Sequence, residues 1–218
     1  MATFSLAALT VLELAPPEMI ELAARCGYEK VGLRLLPATP GGIAYRLTDD
    51  TSLLRETLRQ LQSTGVSVAD LEVVAFRPET DVASFTSFFE AGACLGAKHI
   101  LVAAYDPDLA RFSDRYRQFC EAAAKYGLTS DLEFMPWTSV PDLKTAMRIV
   151  GGVDHPGTGI LVDALHFDRS RSRIEDLRTV PLQRLNYWQL CDGPAERPPS
   201  EMDHLPRLKL VLLCRRTQ

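Results

Sequence analysis

Glu133 in DLEFMPW, Asp163 and His166 in GILVDALHF, and Gln189 in YWQLCDGP each follow or close a short apolar run. A core strand needs none of these groups, and burying a carboxylate or an imidazole without a partner is costly. Glu133, Asp163 and Gln189 lie 30 and 26 residues apart, so on three consecutive parallel strands their inward side chains would converge. Two carboxylates and an amide oxygen make a hard-oxygen site, suited to Mg²⁺ or Mn²⁺ more than to Zn²⁺ or Co²⁺. His166 is three residues beyond Asp163, so on a continuing strand the two would face opposite ways. The strand must therefore end there, leaving His166 on the turn for substrate contact or a second metal. For any one of these residues the plain alternative is a helix N-cap or a loop-capping group.

Other strand ends carry polar or aromatic groups too. Arg34 in GLRLLP would bind a substrate phosphate or carboxylate, or form an ordinary surface salt bridge. Glu72 in DLEVV would serve as a base or, preferably, as a supporting partner. Trp137, soon after Glu133, offers an apolar wall for a sugar ring, whereas Trp188 reads as a core aromatic and Cys191 as inert packing. Asp192 adds a carboxylate beyond Gln189.

The elements that must position these groups follow a repeat. RCGYEKVGLRL, STGVSVADLEVV, CLGAKHILVAA, KYGLTSDLEFM and VGGVDHPGTGILVDAL each place glycine between a helical segment and an apolar strand. Gly27, Gly65, Gly96, Gly127 and Gly152 are 38, 31, 31 and 25 residues apart, and glycine there suits a left-handed helix C-cap. Helical faces are legible at Met19, Leu22, Ala23 and Cys26, at Leu54, Leu58 and Leu61, and at Phe112, Tyr116, Phe119 and Ala123. Strands are expected near 4–9, 30–36, 67–75, 98–104, 130–135, 159–165 and 186–191. Their continuous apolar character predicts a parallel sheet buried on both faces. Seven successive βα units without a composition break predict one domain over 1–218, an α/β chain folded as a (β/α)₈ TIM-type barrel with its last βα unit incomplete. The first strand has no GxGxxG after it, which weighs against a dinucleotide-binding sheet.

Composition excludes several classes. A net charge of −4 across 218 residues argues against a nucleic-acid groove. No apolar run approaches the roughly 20 residues of a membrane span, and the N-terminus has no basic region of a signal peptide. Five scattered cysteines without CxxC spacing read as a reduced, cytoplasmic chain.

On LEFMPW with Glu133, VDALHF with Asp163 and His166, and QLCDGP with Gln189 and Asp192, the chain resembles the sugar phosphate isomerase/epimerase group of xylose isomerase-like TIM barrels, in the AP endonuclease family 2 superfamily. The resemblance runs from about residue 4 to 194. It implies Glu133, Asp163 and Gln189 as metal ligands, with histidine commoner at the third place, and a substrate or second-metal role for His166; counting the available bases makes Glu133 and His166 the catalytic pair. Arg34, Glu72, Trp137 and His166 are the candidates to line the place of the sugar-like small molecule that the resemblance implies. The family's eighth-strand glutamate has no counterpart in RLKLVLLC; Glu201 and Asp203 are the nearest carboxylates, and the tail from 195 reads as truncated or altered. The family's second glutamate after the fifth strand is also missing, since Thr138, Ser139 and Val140 stand there and Asp142 is the nearest carboxylate.

The implied activity is isomerisation or epimerisation of a sugar, sugar phosphate or related hydroxy-ketone through an enediolate, assisted by a divalent metal. Dehydration of a cyclitol or keto-acid (inosose or dehydroshikimate type) and a non-catalytic metal- or sugar-binding barrel are the alternatives. Epimerisation in a fixed pose needs a base on each face, so a site with one favours isomerisation or dehydration. The DNA-repair branch of the superfamily needs a histidine-rich zinc cluster, and four histidines do not supply it. An incomplete barrel exposes strand edges, which favours a homo-oligomer.

Overall fold

The computed structural model describes residues 3–191 and residue 193. Seven strands, β1 (Ser5–Leu6), β2 (Lys30–Arg34), β3 (Ser67–Phe76), β4 (His99–Ala104), β5 (Thr129–Glu133), β6 (Thr158–Asp163) and β7 (Trp188–Gln189), pair in parallel in chain order. The main helices between them are α1 (Pro16–Arg25), α2 (Thr51–Thr64), α3 (Thr86–Cys94), α4 (Leu109–Ala124) and α5 (Leu143–Val153), with the short α6 (Ala164–Arg169) and α7 (Ile174–Leu177) before β7. The sheet is curled. The rings of His99 on β4 and Tyr187 beside β7 have centroids 5.2 Å apart, whereas three strand spacings in a flat sheet would hold them about 14 Å apart. This is the TIM-type arrangement expected from the repeat, with seven strands among the described residues; RLKLVLLC, Glu201, Asp203 and Asp192 lie outside them.

Alternation along the strands divides two environments. Val31 and Leu33, Ile100 and Val102, Leu132, and Ile160 and Val162 join the large core shared with the helices. Ala69, Leu101, Leu161 and Tyr187 form a separate small cluster inside the curl. The outer core takes in the inner face of α4, where Phe112, Tyr116, Phe119 and Ala123 are all buried. Phe76 meets Phe112 and Phe119 edge-on at 5.5 and 5.3 Å, a geometry that stabilises beyond area burial alone.

Helix ends are set locally. The Asp50, Asp108 and Asp142 side chains accept backbone N–H bonds at the starts of α2, α4 and α5, satisfying donors that a helix leaves orphaned. Gly27, Gly65, Gly96 and Gly127 take positive φ as the repeat predicts. Gly152 does not. Helix α5 runs on to Val153, whose side chain is buried, and Asp154 takes the left-handed position at φ 44°, a conformation aspartate tolerates better than most residues. Two further expectations are corrected. Cys26 is exposed, and Ile20 takes the buried place on α1. Strand β1 stops at Leu6 because the chain turns into a 3₁₀ segment over Ala8–Val11.

Candidate active site

The strand-end residues picked out by type and spacing collect at one rim. Register pairs Ala103 with Glu133, Glu133 with Leu161, and Asp163 with Gln189, so Asp163 and Gln189 stand level and Glu133 lies two residues below them on the same face. Glu133, Asp163 and His166 are all buried, and each offers a ligand atom within 4.8 Å of the others. Gln189 is buried one strand over and lines the same cavity.

Strand β6 ends where His166 requires it to. Asp163 closes the strand and caps α6, its Oδ1 accepting the N–H groups of Leu165 at 2.7 Å and His166 at 3.1 Å. The N-cap reading and the ligand reading of Asp163 are therefore compatible, since one oxygen serves the helix. The cap starts α6 at once, and its first turn brings His166 Nε2 to 3.5 Å from Glu133 Oε1. Trp137 stands edge-to-face on that imidazole, centroids 4.9 Å apart at 90°. Its loop is held by Thr138, whose N–H donates to Met135 O at 2.9 Å and whose Oγ1 lies 3.1 Å from Val140 O.

Arg34 closes β2 and faces Glu72 in register, but β3 runs on to Phe76, so Glu72 lies within its strand and not at the end expected for it. Their Nη2–Oε2 distance is 2.9 Å, and both are buried, at 7% and 3% exposure. Glu72 Oε1 accepts the Ala8 N–H at 3.1 Å. Arg34 is thus no surface ion pair, and Glu72 takes the supporting role. Both line one cavity of about 310 Å³ together with Glu133, Trp137, His166 and Gln189. Trp188 packs against the outer core, as expected of a core aromatic.

Sequence reasoning missed two contributors. The Cys191 thiol is more than packing, because its Sγ lies 3.5 and 3.6 Å from the two Asp163 carboxylate oxygens. The apolar side of the cavity comes from Leu9, Leu12, Ile43, Tyr105 and Met135. Most of these sit on connections without periodicity, so no pattern announces them.

The donor set fits a divalent cation. Two buried carboxylates and an imidazole share a space of ligand-to-ligand dimensions at a cavity, and buried carboxylates so close repel unless a cation or a proton joins them. An imidazole in place of a third oxygen broadens the choice toward Zn²⁺ or Co²⁺ beside Mn²⁺ and Mg²⁺. No described helix is long and apolar enough to cross a membrane.

Comparison with known proteins agrees with the fold. A family model described as xylose isomerase-like TIM barrel matches residues 20–207. No curated protein matches the chain by sequence. Among solved structures, the IolI protein with a bound zinc atom superposes with a TM-score of 0.73 at 21% identity, over 89% of this chain and 75% of that one. A probable 3-DHS dehydratase, AsbF, of Bacillus anthracis gives 0.69 at 18%, over 85% and 72%. The D-allulose 3-epimerase of Methylomonas sp., in complex with D-allulose, gives 0.67 at 17%, over 88% and 73%. At these identities the likeness establishes the fold.

Proposed function

The chain belongs to the family of xylose isomerase-like TIM barrels, and on that premise we propose that it is a divalent-metal-dependent isomerase of a sugar, sugar phosphate or related hydroxy-ketone. The observation that carries this reading is the convergence of Glu133, Asp163 and His166 within 4.8 Å at the cavity. Glu133 and Asp163 would hold the cation, with Gln189 beside them and His166 reserved to carry a proton. A divalent cation supplies polarisation of neighbouring hydroxyl and carbonyl oxygens, which acidifies the carbon-bound proton between them.

The remaining work falls to side chains. The Glu133 carboxylate, as base, takes the proton from the carbon next to the carbonyl. His166, 3.5 Å from it, passes a proton to the oxygen that gains charge. The hydroxyl on the carbon that lost its proton then gives its own proton back to His166 as Glu133 returns the carbon proton to the neighbouring carbon. That completes an aldose–ketose exchange through an enediol, and each positioned transfer contributes about 10²- to 10⁴-fold. Trp137 supports the imidazole and walls the cavity against water.

The other carboxylate lining this cavity, Glu72, is engaged by Arg34 and the Ala8 N–H, which leaves Glu133 and His166 as one acid–base pair on one side of the bound carbon. That favours isomerisation over epimerisation. It equally serves loss of water from a β-hydroxy ketone, the second reading, in keeping with a dehydratase among the similar structures.

Mn²⁺ titration calorimetry on the metal-stripped protein tests the proposal. One equivalent should bind to the parent, and Asp163→Ala should lower the affinity at least 100-fold. Undiminished binding in the variant would remove the site.

A further inference from the structure

We infer that the Arg34–Glu72 pair is a hydroxyl-reading subsite, which makes this a site for a neutral, unphosphorylated polyhydroxy carbonyl compound; the carbonyl chemistry rests on the function proposed above. An arginine at a strand end in a cavity ordinarily suggests an anchor for phosphate or carboxylate. Here the guanidinium already has its carboxylate. Arg34 Nη2 and Glu72 Oε2 are 2.9 Å apart with both residues buried, so their charges cancel within the wall. An ion pair drawn out of water is weak evidence for stability, since apolar residues of similar volume often do as well or better. Its place in the lining of the cavity shared with Glu133 and His166 calls for a role toward the ligand.

The pair is also fixed. Glu72 Oε1 also accepts the Ala8 N–H at 3.1 Å, so swinging the carboxylate aside to release Arg34 to an incoming anion would break that bond as well. Gly32 makes room behind it, since a Cβ there would come within 2.9 Å of both Glu72 Oε1 and Asp70 Oδ1. Asp70 thus adds a second acidic group to the neighbourhood. A phosphate reaching Arg34 would meet Glu72 at close range in a poorly screened wall, where like charges repel strongly. A hydroxyl group meets the pair on better terms. Its oxygen accepts from the guanidinium, which has donors beyond the one given to Glu72, and its proton goes to the carboxylate. Two adjacent hydroxyls would use both partners at once. Trp137, Ile43 and Met135 in the same lining cover the C–H faces of such a molecule. Buried groups built to hydrogen-bond a hydroxyl discriminate sharply against a ligand that leaves them mismatched.

The test is calorimetric binding of D-fructose and D-fructose 6-phosphate to the Mn²⁺-equilibrated full chain. The parent should bind D-fructose at least 10-fold more tightly than its phosphate. Glu72→Gln, which leaves Arg34 with uncompensated charge, should tighten the phosphate at least 10-fold. Arg34→Gln should weaken D-fructose about 10-fold without admitting the phosphate, and it keeps the test open if Glu72→Gln does not fold. A parent that binds the phosphate as tightly as the free sugar, or that binds no D-fructose, overturns the inference. The Mn²⁺ titration reads the proposed function separately. Metal binding without sugar preference sinks only the subsite, and sugar preference without metal binding sinks only the metal-dependent reading.

Discussion

The upper and lower halves of the barrel interior draw on the same residue types and put them to opposite uses. Strand β5 supplies a carboxylate to each, Asp131 below and Glu133 two residues above. Strand β3 does the same with Asp70 and Glu72. In the lower half Asp131 is closed in by its polar neighbours. Asp131 is fully buried, and its oxygens accept from Asn186 Nδ2 at 2.6 Å and Thr129 Oγ1 at 2.8 Å. His99 Nδ1 lies 2.7 Å from that hydroxyl. The pocket that His99, Asn186 and Tyr187 line there is about 30 Å³, enough for little more than a water. In the upper half the carboxylates and the imidazole converge instead on a cavity ten times larger. What distinguishes a candidate site from a structural network is therefore the space its side chains share, and the residue types alone do not tell the two apart.

Substitutions that exchange these roles test the contrast, and the largest effects belong below. Asp131→Ala strips the acceptor from Asn186 and Thr129 and should cost about 3 kcal/mol in urea unfolding, while Mn²⁺ affinity stays within about 3-fold. A parallel loss of metal affinity would join the two halves and break the comparison. Gly159→Ala places a methyl group against the Asp131 carboxylate and 2.7 Å from Asn186 Nδ2. It should cost about 2–3 kcal/mol by overpacking, again with the metal site spared.

Above, the stability effect is smaller and the ligand effect larger. Asp163→Ala removes the α6 cap and should cost about 1 kcal/mol, whereas Asp163→Asn keeps the acceptor and should restore that stability without restoring metal affinity. Equal unfolding midpoints for the two variants would mean that the cap contributes nothing.

The smallest effect is a pH dependence at Asp70. Burial, then the charges of Glu72 and Asp131, raise its carboxyl well above the ordinary 3.8, with Arg34 opposing. Its Oδ2 has no hydrogen-bond partner among the described residues. A group raised in the folded state contributes its stability in full below the ordinary value, and that contribution is lost as pH rises through the folded-state value. Asp70→Asn should therefore stabilise the protein at pH 8 by about 1 kcal/mol, the usual scale for an unsatisfied buried polar atom, with the difference closing near pH 4. A pH-independent difference would show that Asp70 does not titrate in that window.

Much of this was legible in the sequence, for physical reasons that also mark where reading fails. The strand–glycine rhythm worked because parallel strands buried on both sides must be apolar runs, as ILVAA and GILVD are. It failed at Gly152, where core packing of Val153 carried α5 past the glycine. The rim residues were legible because a carboxylate closing an apolar strand must serve a helix cap or a site, and spacing placed Glu133 and Asp163 together. Sequence could not tell that His99, Asp131 and Asn186 would satisfy one another, since that depends on three strands curling inward. Nor could it show that Arg34 already has its counterion 38 residues away in Glu72. The cavity's apolar lining, from the loops around Leu12 and Ile43, follows only from the folded chain.

The Asp163 cap carries a kinetic consequence. Helix α6 has six residues, well short of the length that holds a helix together in isolation, so its order depends on that cap and on packing. Opening of α6 and loss of His166 from the site are then the same local unfolding event. The apparent affinity for any ligand of the triad equals the intrinsic affinity scaled by the closed fraction. Amide exchange at Leu165 and His166 becomes a direct gauge of how often the site stands assembled, and a ligand bound to the triad should slow it.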